Sequence, residues 1–169
     1  RLVLFSIGFF FFVIGLSRPQ IGAKLKEHET KGAEIMIVLD VSNSMLAEDY
    51  SPNRLDRAKL AISRLVDKLR DDRVGLIVFA GNSFVQLPIT TDYVSAKMFL
   101  NSISTESVPV QGTAIGDAIN TAMRSFSVQS EKSRAIIVIT DGENHEDDPV
   151  EAAKQAAEMG VRVFTIGVG

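Results

Sequence analysis

The feature that most constrains the fold is an unbroken apolar run, Ile35–Leu39, which ends in the polar segment Asp40–Ser44. Such a run without alternation predicts a β-strand that is covered on both faces, as in a parallel sheet. Open α/β sheets bind their ligands at the carboxyl ends of such strands. Asp40, Ser42 and Ser44 therefore form a candidate cluster of hard oxygen ligands. The alternative at this point is that Asp40 or Ser42 only caps a turn or a helix, which both residue types favour.

The rest of the chain alternates between strand-like and helix-like segments. Further apolar runs predict buried strands at Val74–Phe79, Ala135–Ile139 and Val161–Val168. Apolar residues at intervals of three and four predict amphipathic helices at about 54–70, 92–103, 114–123 and 150–159. Pro88 lies in a short alternating run, Phe84–Ile89, which predicts an antiparallel strand at the sheet edge. Strands joined by helices with right-handed crossovers predict an α/β fold, a doubly wound, mostly parallel sheet with helices on both faces.

Two more polar residues complete the candidate site. Thr113 stands at the start of the third predicted helix, and Asp141 follows the strand predicted at 135–139. If Asp40 and Asp141 end adjacent strands, their carboxylates converge above the sheet, and the loop carrying Thr113 can join them. The oxygen ligands would suit a small hard cation, best Mg²⁺, with Mn²⁺ or Ca²⁺ as alternatives. For Thr113 the competing interpretation is simple capping of the helix N-terminus.

The pattern Asp40-x-Ser42-x-Ser44, followed at a distance by Thr113 and Asp141, resembles the metal-ion-dependent adhesion site of von Willebrand factor type A domains. The resemblance implies the Rossmann-like fold of that family. It also implies that Ser42, Ser44 and Thr113 coordinate the cation directly or through water, while Asp40 and Asp141 act largely through bound waters. A glutamate or aspartate of a partner protein would then complete the coordination shell.

Longer phrases resemble the bacterial Bat, or aerotolerance-operon, group of membrane-anchored A domains. They are DVSNSMLAEDYSPNRLDRAK, GLIVFAGNSFVQLPITTDY, GTAIGDAI and ITDGEN. The likeness runs from about Glu34 to Gly169, and members of the group carry a further helix and strand. The resemblance therefore implies that the domain at 34–169 is C-terminally incomplete. It also implies a place on the bacterial inner membrane, with the domain in the periplasm and other membrane proteins of the same system as partners.

The N-terminal region is consistent with such an anchor. Leu2–Leu16 is apolar apart from Ser6, but as a helix it would cover only about 22 Å, less than the roughly 30 Å of a bilayer core. We therefore expect residues 1–17 to be part of a transmembrane helix and residues 18–33 to be a membrane-proximal linker. A cleaved signal peptide is the alternative, although no small-x-small cleavage pattern is present around residues 17–20.

The net charge and the cysteine count argue against several classes of function. The net charge is −3 with no basic stripe, which argues against nucleic acid as a partner. Zero cysteines exclude a disulfide framework, a zinc ribbon and thiol catalysis.

The prediction is a binding module that is not an enzyme. The alternatives are a metal-independent scaffold and a Mg²⁺-dependent phosphoryl-transfer hydrolase with Asp40 as nucleophile; the hydrolase usually wants a second carboxylate where this chain has Ser42.

Overall fold

The computed structural model describes residues 32–49, 51–127, 130, 132–142 and 147–169. The predicted transmembrane segment, 1–17, and nearly all of the predicted linker, 18–33, lie outside the described residues. Within the described ranges, no helix is both long enough and apolar enough to cross a membrane.

One sheet of five strands forms the centre of the domain. The strands are β1 (Glu34–Asp40), β2 (Arg73–Phe79), β3 (Ser83–Thr90), β4 (Arg134–Thr140) and β5 (Val161–Gly167), in the spatial order β3-β2-β1-β4-β5. The pairs β1–β2, β1–β4 and β4–β5 are parallel, whereas β3 is antiparallel to β2. The prediction of a mostly parallel sheet with an antiparallel edge strand is therefore confirmed, and the apolar run that ends in Asp40 is its central strand.

In the described residues, four α-helices connect the strands. They are α1 (Arg54–Val66), α2 (Tyr93–Ser102), α3 (Ile115–Ser125) and α4 (Pro149–Glu158). The prediction that the first helix extends to Arg70 is wrong. After Val66 the backbone N–H groups of Lys68 and Leu69 bond to carbonyls three residues back, so the chain continues as tight turns. These turns still direct Leu69 into the core, which is why its spacing looked helical.

The helices cover both faces of the sheet. Ile37 and Leu39 of β1 point into the core formed with α1 and α2, whereas Met36 and Val38 point into the core formed with α3 and α4. The helix that follows β1 therefore lies on the opposite face from the helix that follows β4. This arrangement makes the carboxyl ends of β1 and β4 the topological switch point, where open α/β sheets form their ligand crevice.

Candidate metal centre

Asp40, the last residue of β1, lies fully buried at the switch point. Its Oδ1 accepts hydrogen bonds from the backbone N–H of Ser42 (2.9 Å) and from the Ser42 hydroxyl (2.6 Å). Its Oδ2 accepts a hydrogen bond from the Thr140 hydroxyl (2.6 Å). Burial raises the pKa of Asp40, the hydrogen bonds from Ser42 and Thr140 oppose that rise, and the nearby charge of Asp141 adds to it.

A 3₁₀ turn, Asn43–Leu46, follows β1; Ser42 directly precedes it and Ser44 lies within it, and it is called the serine turn below. The Oγ atoms of Ser42 and Ser44 are 3.0 Å apart. Ser42 occupies the N-cap position of the turn, but its side chain makes no capping hydrogen bond. Met45, in the same turn, is fully buried among the core residues and fixes the turn to the core. The Ser42 hydroxyl therefore bonds to Asp40 and contacts the Ser44 hydroxyl, and it does not cap the turn.

Thr113 is buried in the loop that leads into α3. Ala114, not Thr113, occupies the N-cap position of α3, so the capping interpretation of Thr113 is wrong. The Ala114 N–H donates to the carbonyl of Ala80, just after β2, at 2.8 Å. The side-chain oxygen of Gln111 accepts a hydrogen bond from the backbone N–H of Asn43 at 3.1 Å. These two bonds hold the loop of Thr113 beside the serine turn.

Asp141 directly follows β4, and its side chain is only 1% exposed. Its Oδ2 accepts a hydrogen bond from Nη1 of Arg54 at 3.2 Å. The same guanidinium donates to both carboxylate oxygens of Asp49, through Nε at 2.9 Å and Nη2 at 2.7 Å. Asp40 thus ends β1 and Asp141 follows the adjacent strand β4, as predicted. The ion pair of Asp141 with Arg54 was not predicted.

Three further residues contribute to the site and were not predicted from the sequence: Thr140, Gln111 and Arg54. Thr140 could have been found, because it immediately precedes Asp141 and a parallel register between the two strands places it beside Asp40. Gln111 and Arg54 had no local signal that connects them to the site, since their contacts with Asn43 and Asp141 join residues 68 and 87 positions apart.

The donor set fits a hard divalent cation. Two buried carboxylates lie at the switch point with a pair of hydroxyls 3.0 Å apart, and such oxygens are the ligands that Mg²⁺, Mn²⁺ and Ca²⁺ prefer. In the part of the chain that the structure describes, no three His, Cys, Asp or Glu side chains cluster as metal ligands. A cation at this place would therefore depend on hydroxyl oxygens as well as on carboxylates.

One family model and two similar solved structures match this chain. The family model described as the von Willebrand factor type A domain matches residues 35–143. The crystal structure of the conserved hypothetical protein BatB from Bacteroides thetaiotaomicron is 64% identical, has a TM-score of 0.79, and is matched over 80% of this chain and 66% of that chain. An aerotolerance-related membrane protein from Bacteroides fragilis is 60% identical with a TM-score of 0.79, over 82% of this chain and 68% of that chain.

A sequence relative from Borreliella burgdorferi, an uncharacterized protein, is 32% identical over 160 residues, which are 93% of this chain and 47% of the relative. The chain thus spans about half the length of the curated relatives it matches.

Proposed function

Because this chain belongs to the von Willebrand factor type A domain family, we propose that it is a membrane-anchored protein-binding module that requires a divalent cation. In this proposal Asp40, Ser42, Ser44, Thr113 and Asp141 form a metal-ion-dependent adhesion site, and an aspartate or glutamate of a partner protein completes it. Domains of this family generally mediate protein interactions and commonly bind a divalent metal at such a site. Mg²⁺ is the cation that we propose, with Mn²⁺ or Ca²⁺ as substitutes.

The observation that carries the proposal is the hydrogen-bonded chain from Thr140 through Asp40 to Ser42 and Ser44 at the switch point. It orients the Asp40 carboxylate from both sides before any ligand arrives. When bound, the cation supplies a positive centre that attracts an external carboxylate. Because hydroxyls are neutral, ligands such as Ser42 and Ser44 leave much of the ionic charge uncompensated, which strengthens that attraction.

The residue types around Asp40 disfavour the phosphoryl-transfer alternative. That chemistry usually requires a second carboxylate two residues after the nucleophile, to serve as acid and base, and this chain has Ser42 at that position. The Ser42 hydroxyl instead donates a hydrogen bond to Asp40 at 2.6 Å. Von Willebrand factor type A proteins are generally non-enzymatic adhesion or scaffold modules, and we propose that this chain is not an enzyme. The metal-independent scaffold remains the competing function.

The proposal places the chain on the bacterial inner membrane, with residues 1–17 as part of the anchor, 18–33 as the linker and 34–169 as a periplasmic domain. A close relative from Bacteroides fragilis is described as a membrane protein, which supports this placement. The proposed partners are other membrane proteins of the same system. A topology reporter fused after Gly169 tests the side of the membrane: periplasmic activity is expected, and cytoplasmic activity would refute the placement.

Calorimetric titration of Mg²⁺ and Mn²⁺ into the 169-residue chain, purified in a mild detergent, tests the metal site. We expect Asp40→Asn and Asp141→Asn each to weaken cation binding by roughly tenfold or more. The matched control is Glu158→Gln, an exposed carboxylate at the end of α4, which should bind like the wild type. Equal affinities for all four proteins, or no binding by the wild type, would favour the scaffold.

A further inference from the structure

Arg54 connects two acidic residues around the candidate metal centre. Its guanidinium forms a bidentate ion pair with Asp49, in the loop after the serine turn, and a 3.2 Å ion pair with Asp141. Asp141 is 1% exposed and Arg54 is 20% exposed. A carboxylate as deeply buried as Asp141 needs an opposite charge close by, and Arg54 supplies it.

The location of Arg54 within its helix makes this role specific. It is the first residue of α1, where the helix dipole favours acidic side chains and opposes basic ones. Its backbone N–H bonds to the carbonyl of Ala47 at 3.1 Å, so its main chain is fixed to the end of the serine turn. The contacts with Asp49 and Asp141 offset the unfavourable dipole and hold the guanidinium in one orientation.

We propose that Arg54 is a built-in counter-ion of Asp141 that competes with the divalent cation and thereby sets the cation affinity of the site. This inference rests on the proposed function. The arginine charge reduces the negative potential that the carboxylates create at the site, and a divalent cation gains less on binding there. The same positive charge favours an incoming carboxylate. The partner-free domain therefore binds the cation weakly, and the partner's acidic residue increases retention of the cation.

The test compares Arg54→Gln with the wild type by Mg²⁺ calorimetry of the 169-residue chain in detergent at low and moderate salt. Arg54→Gln is expected to bind Mg²⁺ on the order of tenfold more tightly, with a smaller gain at higher salt. Arg54→Lys keeps the charge and should stay near the wild type. Arg64→Gln removes an exposed arginine from the last turn of the same helix and should leave the affinity unchanged.

Thermal unfolding provides a readout that does not depend on binding calorimetry. In EDTA, Arg54→Gln should melt at a lower temperature than the wild type, because Asp141 loses its counter-ion. Saturating Mg²⁺ should then raise the melting temperature of Arg54→Gln by more than it raises that of the wild type. The double variant Arg54→Gln/Asp49→Asn restores the net charge around the site, and its Mg²⁺ affinity should return toward the wild-type value.

The outcomes separate this inference from the proposed function. If the wild type binds Mg²⁺, if Arg54→Gln binds it equally well or more weakly, and if the double variant does not restore the wild-type affinity, the proposed role of Arg54 is wrong. The proposed metal site is not affected by that result. No binding by any of these proteins would overturn both. Weak but measurable binding by the wild type, together with binding by Arg54→Gln that is roughly tenfold tighter, would support the inference.

Discussion

Thr140 donates a 2.6 Å hydrogen bond to Asp40 across the boundary between β4 and β1, although the two residues are 100 positions apart in the sequence. Both side chains are buried. The bond exists because β1 and β4 are parallel neighbours in register, so that the residues that end them lie side by side. It connects the fold directly to the orientation of the proposed metal ligand.

Replacing Thr140 with valine should therefore affect both stability and the site. The change keeps the shape but leaves Asp40 Oδ2 without its donor, and we expect a loss of about 1–3 kcal/mol in the free energy of unfolding. Mg²⁺ affinity should fall roughly tenfold, as for other changes to groups that orient metal ligands. Urea unfolding and calorimetry measure the two effects. Thr140→Ser, which keeps the hydroxyl, is the control, and equal behaviour of the two variants would contradict the prediction.

Met45 anchors the serine turn in the core. Because it is fully buried, Met45→Ala should cost about 2–5 kcal/mol in the free energy of unfolding. The turn that carries Ser42 and Ser44 should also loosen, so cation affinity should decrease. Met98→Ala on α2 is the matched control, since Met98 is 63% exposed and its loss should change stability by no more than about 0.5 kcal/mol. Similar destabilisation by the two changes would refute this account of the turn.

Gly116 makes room for a carboxylate that caps α3. The Oδ2 atom of Asp147 accepts a hydrogen bond from the Asp117 N–H at 2.7 Å, and a Cβ on Gly116 would lie 2.9 Å from that oxygen. In Gly116→Ala the gain in helix propensity is about 1 kcal/mol, whereas a displaced charge-assisted hydrogen bond costs about 1.5–3 kcal/mol. We therefore expect net destabilisation of about 1 kcal/mol.

Urea unfolding measures this difference. The control is Gly167→Ala in β5, where a Cβ would meet nothing within 4 Å, and its stability should stay close to that of the wild type. A Gly116→Ala protein more stable than the wild type would show that the Asp147 contact contributes little.

Asp92 gives a pH-dependent contribution to stability. Hydrogen bonds from the Ser95 side chain and backbone and from the Val94 N–H lower the pKa of Asp92 below its usual 3.8. A folded-state pKa below the unfolded value means that the stabilisation is complete above pH 3.8 and is lost as the pH falls through the lower folded value. The stability difference between wild type and Asp92→Asn should therefore stay constant above pH 3.8 and shrink as the pH is lowered further. Unfolding in EDTA at several pH values measures it, and a difference that stays constant below pH 3.8 as well would contradict the assignment.

Local patterns in the sequence predicted most of the fold. The unbroken run before Asp40 predicted the buried parallel strand that is β1, and Pro88 predicted the antiparallel edge strand β3. The predicted end of α1 at about Arg70 was wrong, because Leu69 keeps the helical spacing of buried residues although the chain there forms tight turns.

Long-range pairing limited what the sequence could predict of the site. The candidate ligands follow from residue type and strand position, and their role as ligands stays a prediction. The ion pair of Arg54 with Asp141 depends on the position of the start of α1 relative to the end of β4. No periodicity or motif in the sequence encodes that position, so only the folded structure reveals the ion pair.

The central claim is that a divalent cation binds among Asp40, Ser42, Ser44, Thr113 and Asp141. Anomalous diffraction from crystals soaked in Mn²⁺ tests it most directly, because the signal locates the ion itself. We predict a peak within about 2.5 Å of the Ser42 and Ser44 hydroxyl oxygens, and no peak there in Asp40→Asn crystals. A peak elsewhere, or none at saturating Mn²⁺, would contradict the account.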